Sequence, residues 1–117
     1  MGSDILNLAA ALERVGGDSD FLGEVAQLFL DSAPEMLAQV RDAAKTRDAR
    51  ALQRSAHTLK GSVGNFGAAP TVRAALRLEQ MGRAQQLDGV EEAYAALEQE
   101  MVRLQPALTA LGAKSGV

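Results

Sequence analysis

The chain has 117 residues, no cysteine, a net charge of −3 and 47% hydrophobic residues against only 3% aromatic ones. That leaves room for one core but not for a core plus a nucleotide-binding domain, so a complete kinase is excluded. Disulfides, thiol chemistry and the usual structural zinc sites are excluded with the cysteines, and a core of Ala, Leu, Val and Met without Trp points to closely packed helices.

The apolar periodicity predicts five helices, with Asp4 the expected N-cap of the first. Its stripe is Ile5, Leu8, Ala9 and Leu12, and Gly16-Gly17 ends it. Asp18, Ser19 or Asp20 caps a second helix running to about Lys45. Phe21, Val25, Leu28, Phe29, Ser32, Met36, Val40 and Ala44 are its expected inward positions, and Pro34 is expected to kink it. Thr46-Arg47-Asp48 turns into a third helix, capped by Asp48 and ending near Gly67.

Pro70 suits the first turn of a fourth helix, where its missing N–H is not needed. That helix runs to about Arg83 with Val72, Ala75, Leu76, Leu78 and Met81 apolar. Gln85-Gln86-Leu87-Asp88 forms the next turn. Val90, Tyr94, Leu97, Met101, Leu104, Leu108 and Leu111 then repeat in 4-3 spacing, the pattern of a bundle core. Pro106 is expected to kink or stop this last helix near Leu104, and Ala113 to Val117 are expected to be loose. No pattern alternates long enough for a sheet, and residues 1–117 read as one domain.

No run approaches the roughly 20 apolar residues that span a bilayer, and Met1-Gly2-Ser3-Asp4 lacks the basic start of a signal peptide. The cytoplasm is the default expectation, without a membrane partner. Met1-Gly2-Ser3 reads equally well as an added leader, which leaves the natural start open.

The charge is unevenly placed. Arg41 to Arg83 holds nine Lys/Arg against three Asp/Glu, a net +6, and the remainder holds three against twelve, a net −9. The only histidine, His57, lies in the basic half, which suits a phosphoryl group and a partner with an acidic pocket.

On a helix, Leu52, Ala56, Leu59, Val63 and Phe66 form one apolar stripe, and His57 points almost the opposite way. Around it fall Arg50, Gln53, Arg54, Lys60, Gly61 and Gly64. Two interior glycines cost about 1 kcal/mol each relative to alanine, and their absent side chains would let another surface approach the ring. An exposed imidazole titrates near neutrality and can act as a nucleophile through one ring nitrogen. Lys60 and Arg54, each one turn away, could offset the charge of a phosphoryl group there. Zinc binding lacks co-ligands, and no carboxylate or hydroxyl has the spacing of a hydrolytic nucleophile–base pair.

His57-Thr58-Leu59-Lys60-Gly61-Ser62, followed by Phe66-Gly67-Ala68, resembles the signature of histidine-containing phosphotransfer (HPt) domains of phosphorelays. Leu8, Leu12, Gly16-Gly17-Asp18, Phe29-Leu30, Ala33-Pro34 and Leu78-Glu79 extend the resemblance over most of the chain. It implies an all-α fold, an antiparallel up-down four-helix bundle with an additional short N-terminal helix. It also implies a carrier, not an enzyme, that takes a phosphoryl group on His57 and passes it between aspartates of receiver domains.

Lys60, Gly61 and Glu79 are the expected companions of His57. Glu79 pairs with Arg83 at i, i+4 on spacing alone, and on the resemblance it accepts from the ring Nδ1–H. Arg50, Gln53, Arg54, Gly64 and Asn65 are the expected partner-binding residues. The resemblance implies response-regulator receivers and a histidine kinase as partners, with Mg²⁺ on the receiver and no cofactor here. A monomer without nucleic-acid binding is expected. Autokinase dimerisation domains carry an acidic residue directly after their histidine, where this chain has Thr58. The competing readings are a phosphotransfer domain excised from a hybrid or chemotaxis-type kinase, and a helical adaptor without chemistry. Retention of His57, Lys60 and Gly61 together argues against the adaptor.

Overall fold

The computed structural model describes residues 5–115. Among the described residues there are five α-helices and no strand: α1 (Leu8–Arg14), α2 (Ser19–Thr46), α3 (Ala49–Gly64), α4 (Ala69–Ala84) and α5 (Val90–Ser115). α2 packs against α3 and α5, α4 packs against the same two, and α1 leans on α2. The four long helices therefore enclose one core. The 28 residues of α2 extend about 42 Å at 1.5 Å per residue and set the 44 Å long dimension of the molecule. No helix among the described residues is long and apolar enough to cross a membrane.

Short polar side chains start three of the helices. Asp18 and Asp48 accept from the backbone N–H groups of Phe21 and Ala51, each at 3.0 Å, and Pro70 occupies the first turn of α4. Asp4 lies outside the described residues, and the observed cap of α1 is Asn7, which accepts from the Ala10 N–H at 3.0 Å. Asn7 is fixed from outside its own helix. Its N–H donates to the Phe66 carbonyl at 2.9 Å, and it packs on Gly67, whose φ of +61° and lack of a Cβ admit it. The start of α1 is thus tied to the α3–α4 turn, and the inward face becomes Ala11 with Leu12 and Val15. Leu8 and Ala9, expected inside, are exposed.

The first half of α2 also departs from expectation. Leu22, Ala26 and Phe29 face the core, joined by Leu30 and Ala33, whereas Phe21, Leu28 and Ser32 are exposed. Both sets repeat at helical spacing, and the buried set is the one that brings small Ala26 and Gly23 to the contact with neighbouring helices. α2 continues unbroken through Pro34. α5 likewise continues through Pro106 to Ser115 without stopping near Leu104, and residues 116 and 117 lie outside the described residues. The expected α5 stripe points inward, with Val90, Leu97, Leu104 and Leu108 buried.

The α3 stripe is the centre of the core: Leu52, Ala56, Leu59, Val63 and Phe66 are all completely buried. Each large member contributes about 1.5–3 kcal/mol by leaving water. Phe66 meets Phe29 of α2 with ring centroids 5.9 Å apart and planes tilted by 54°, a favourable aromatic geometry. With this face fixed, the opposite face of α3 must meet solvent and the flank of α4.

Candidate functional site

α3 and α4 cross almost backbone to backbone. A Cβ added at Gly82 would lie 2.6 Å from the Ala49 carbonyl oxygen and 2.7 Å from the Gln53 nitrogen, so only glycine permits the approach. One turn before Gly82 stands Glu79, and one turn after Gln53 stands His57. The close crossing therefore brings a carboxylate of α4 against the imidazole of α3.

Glu79 is 2% exposed and receives three donors. His57 Nδ1 lies 3.0 Å from its Oε2, Arg83 Nη2 lies 3.0 Å from the same oxygen, and Lys60 Nζ lies 2.7 Å from Oε1. Oε1 makes no aligned hydrogen bond, so the short Lys60 contact is an ion pair held by charge. Burial alone would push the carboxyl pKa up. The Lys60 and His57 contacts and their charges outweigh it and hold the group below its ordinary value of 4.5. An ionised carboxylate only accepts, so the proton between Glu79 and the ring belongs to Nδ1. The same contact turns Nε2 away from α4, and the His57 side chain is 66% exposed.

Beside the ring, Arg50, Gln53, Arg54, His57, Thr58, Glu79 and Arg83 line an open cleft of about 590 Å³. Arg50 and Arg54 make no ion pair among the described residues, so their charge is available to an incoming anion. On the other side of His57, a Cβ at Gly61 or Gly64 would meet nothing within 4 Å. The imidazole thus stands between a basic cleft and a bare glycine track.

Several expected site residues meet here and two are placed differently. His57, Glu79, Arg50, Gln53 and Arg54 share the cleft. Lys60, expected on the open face, is 26% exposed and turned onto Glu79, and it does not line the cleft. Asn65 lies on a separate shallow groove with Val25, Leu28, Ser32, Met36 and Ser62. Arg83 and Thr58 were missed as cleft residues. The i, i+4 spacing of Arg83 from Glu79 was visible, but not that the pair would open beside the histidine.

Among known families, the Hpt domain model matches residues 24–107, which include all of α3 and α4 and most of α2 and α5. No curated protein and no solved structure matches significantly.

Proposed function

The chain belongs to the Hpt domain family, phosphocarriers of two-component signalling that work with receiver domains and kinases, and from that premise we propose that it carries a phosphoryl group on Nε2 of His57 between receiver aspartates. The observation that carries the reading is the exposed ring held through Nδ1 by buried Glu79, 3.0 Å away. Glu79 fixes the tautomer with the proton on Nδ1, which leaves the Nε2 lone pair facing solvent.

In the forward step Nε2 attacks the phosphorus of an aspartyl phosphate. The N–P bond forms as the P–O bond to the aspartate breaks, and the carboxylate leaves with the electron pair. The phosphorylated ring keeps its Nδ1 proton and becomes cationic, and Glu79 stabilises that charge. Arg50, Arg54 and Arg83 on the cleft favour the dianionic phosphoryl group and the acidic rim of a partner. Lys60 acts through Glu79, holding the carboxylate ionised so that it accepts from the ring.

Gly61 and Gly64 leave the space through which the receiver reaches the ring. The receiver supplies Mg²⁺ and most of the catalytic groups, and this chain acts as a monomeric cytoplasmic carrier. The short connections between consecutive packed helices support an antiparallel up-down bundle of α2 to α5 with α1 across one end.

The test is incubation with a panel of phosphorylated receivers. Wild type acquires an acid-labile label, and His57→Gln folds normally and acquires none. Label persisting on that variant overturns the assignment.

A further inference from the structure

Glu79 is one buried carboxylate with two permanent cations on it, and the two are held differently. Lys60 is turned inward, with its ammonium closed onto Oε1, and does not line the cleft. Arg83 is 61% exposed and does line it. Its Nη2 donates to Oε2, the oxygen that also accepts from His57 Nδ1, with both contacts at 3.0 Å, so Nη2 lies no more than twice that distance from the ring. A guanidinium carries five N–H donors, and Glu79 engages Arg83 through Nη2 alone. Arg83 therefore has donors to spare beside the acceptor histidine.

The cluster is charged in favour of the phosphorylated state. With a neutral ring, Glu79, Lys60 and Arg83 together leave one positive charge in excess. In the transfer step the N–P bond forms at Nε2 as the P–O bond breaks, and its electron pair leaves on the receiver aspartate. The ring keeps its Nδ1 proton and becomes cationic while the phosphoryl group is dianionic, so the cluster gains one negative charge and becomes neutral. Without Arg83 the same step would take it from neutral to a net negative charge beside a carboxylate already withdrawn from water.

We propose that Arg83 sets the position of the phosphotransfer equilibrium: Nη2 stays on Glu79 while the remaining guanidinium donors bind the phosphoryl oxygens on Nε2, drawing the group from aspartate toward histidine. This rests on the phosphotransfer reading and divides the labour of the two cations. Lys60 orients Glu79, and Arg83 touches the transferred group. Guanidinium–phosphoryl hydrogen bonds are charge-assisted, and the planar fork can place two of them at once. Because Arg83 is well exposed, water screens its charge and the effect on the equilibrium constant is about fivefold.

The experiment mixes the full chain with a phosphorylated receiver that labels it and measures the ratio of phosphohistidine to phosphoaspartate at equilibrium. Arg83→Gln is expected to lower that ratio about fivefold. Arg83→Lys keeps the charge and loses the fork, and should recover part of it. Arg103→Gln removes the same charge from α5, where Arg103 pairs with Glu100, and should leave the ratio unchanged. In a Glu79→Gln background, loss of Arg83 should still lower the ratio, because the guanidinium acts on the phosphoryl oxygens directly. A ratio unchanged in Arg83→Gln, a fall matched by Arg103→Gln, or a fall that disappears with Glu79→Gln overturns this inference and leaves the phosphotransfer reading standing. Failure of every receiver to label the wild type overturns both.

Discussion

The two sides of the bundle solve opposite problems. On the α3–α4 side the backbones touch at Gly82, and the space beside the crossing holds a buried carboxylate surrounded by His57, Lys60 and Arg83. On the α2–α5 side the contact is largely hydrocarbon, each helix carries a proline within its unbroken length, and a groove remains. Close approach therefore goes with a rigid polar cluster, in which every partner of Glu79 is fixed by its helix. Where α2 meets α5, no charge is buried among the described residues.

The largest test of this contrast is Gly82→Val. Its side chain would meet backbone atoms that cannot move aside, so we expect a loss of about 3 kcal/mol in urea unfolding, the upper range for overpacking. Gly112 of α5 gives the opposite control, since the tightest contact of its added Cβ would be the Gln27 Oε1 at 3.0 Å, the end of a flexible side chain, with the Gln27 Cβ and the Gly23 carbonyl oxygen at an ordinary 3.8 Å. Gly112→Ala should be neutral or gain up to about 1 kcal/mol from helix propensity. Equal losses at the two glycines would erase the distinction.

Next in size is Glu79→Ala. Loss of charged hydrogen bonds at a buried site should cost about 2 kcal/mol, moderated because the exposed ends of His57 and Arg83 regain water. The pH dependence follows from the lowered pKa. Because the folded group ionises below its ordinary 4.5, its contribution is present above that value and is lost as pH falls through the folded value. Wild type and Glu79→Gln should therefore differ most in unfolding free energy above pH 4.5 and converge below it. A constant gap across that range would mean that Glu79 carries no net charge stabilisation.

The smallest stability effect is expected at Gly61. Gly61→Ala enters open space and should gain about 0.5–1 kcal/mol from helix propensity and reduced unfolded-state freedom, while transfer from a receiver slows. Faster or unchanged transfer, with Gly61→Leu also unaffected, would remove the steric role of the glycine track.

How far these sites were legible depended on whether local pattern sufficed. The α3 stripe was readable because its other face is polar and glycine-rich, so only one register buries apolar groups. The start of α2 was not, because Phe21, Val25 and Leu28 repeat as regularly as Leu22, Ala26 and Phe29, and only the neighbouring helices choose between them. Asp4 and Asn7 are both competent caps. The choice rests on the Asn7 contact with Phe66 and Gly67, about 60 residues away in sequence and invisible to local reading. Glu79 was marked by an inward-leaning carboxylate that needed a partner, but its link to His57 came only from the family resemblance. The turning of Lys60 onto Glu79 required the crossing at Gly82, which no periodicity announces.

The central claim is that Glu79 holds the Nδ1 proton so that Nε2 takes the phosphoryl group. It is tested most directly by phosphorylating the chain, with ¹⁵N-labelled histidine, from a receiver and recording imidazole ¹⁵N and ³¹P spectra. The account predicts phosphorus coupled to Nε2 of His57 and a slowly exchanging proton on Nδ1 that Glu79→Ala releases to fast exchange. Phosphorus on Nδ1, or an Nδ1 proton indifferent to Glu79, would contradict it.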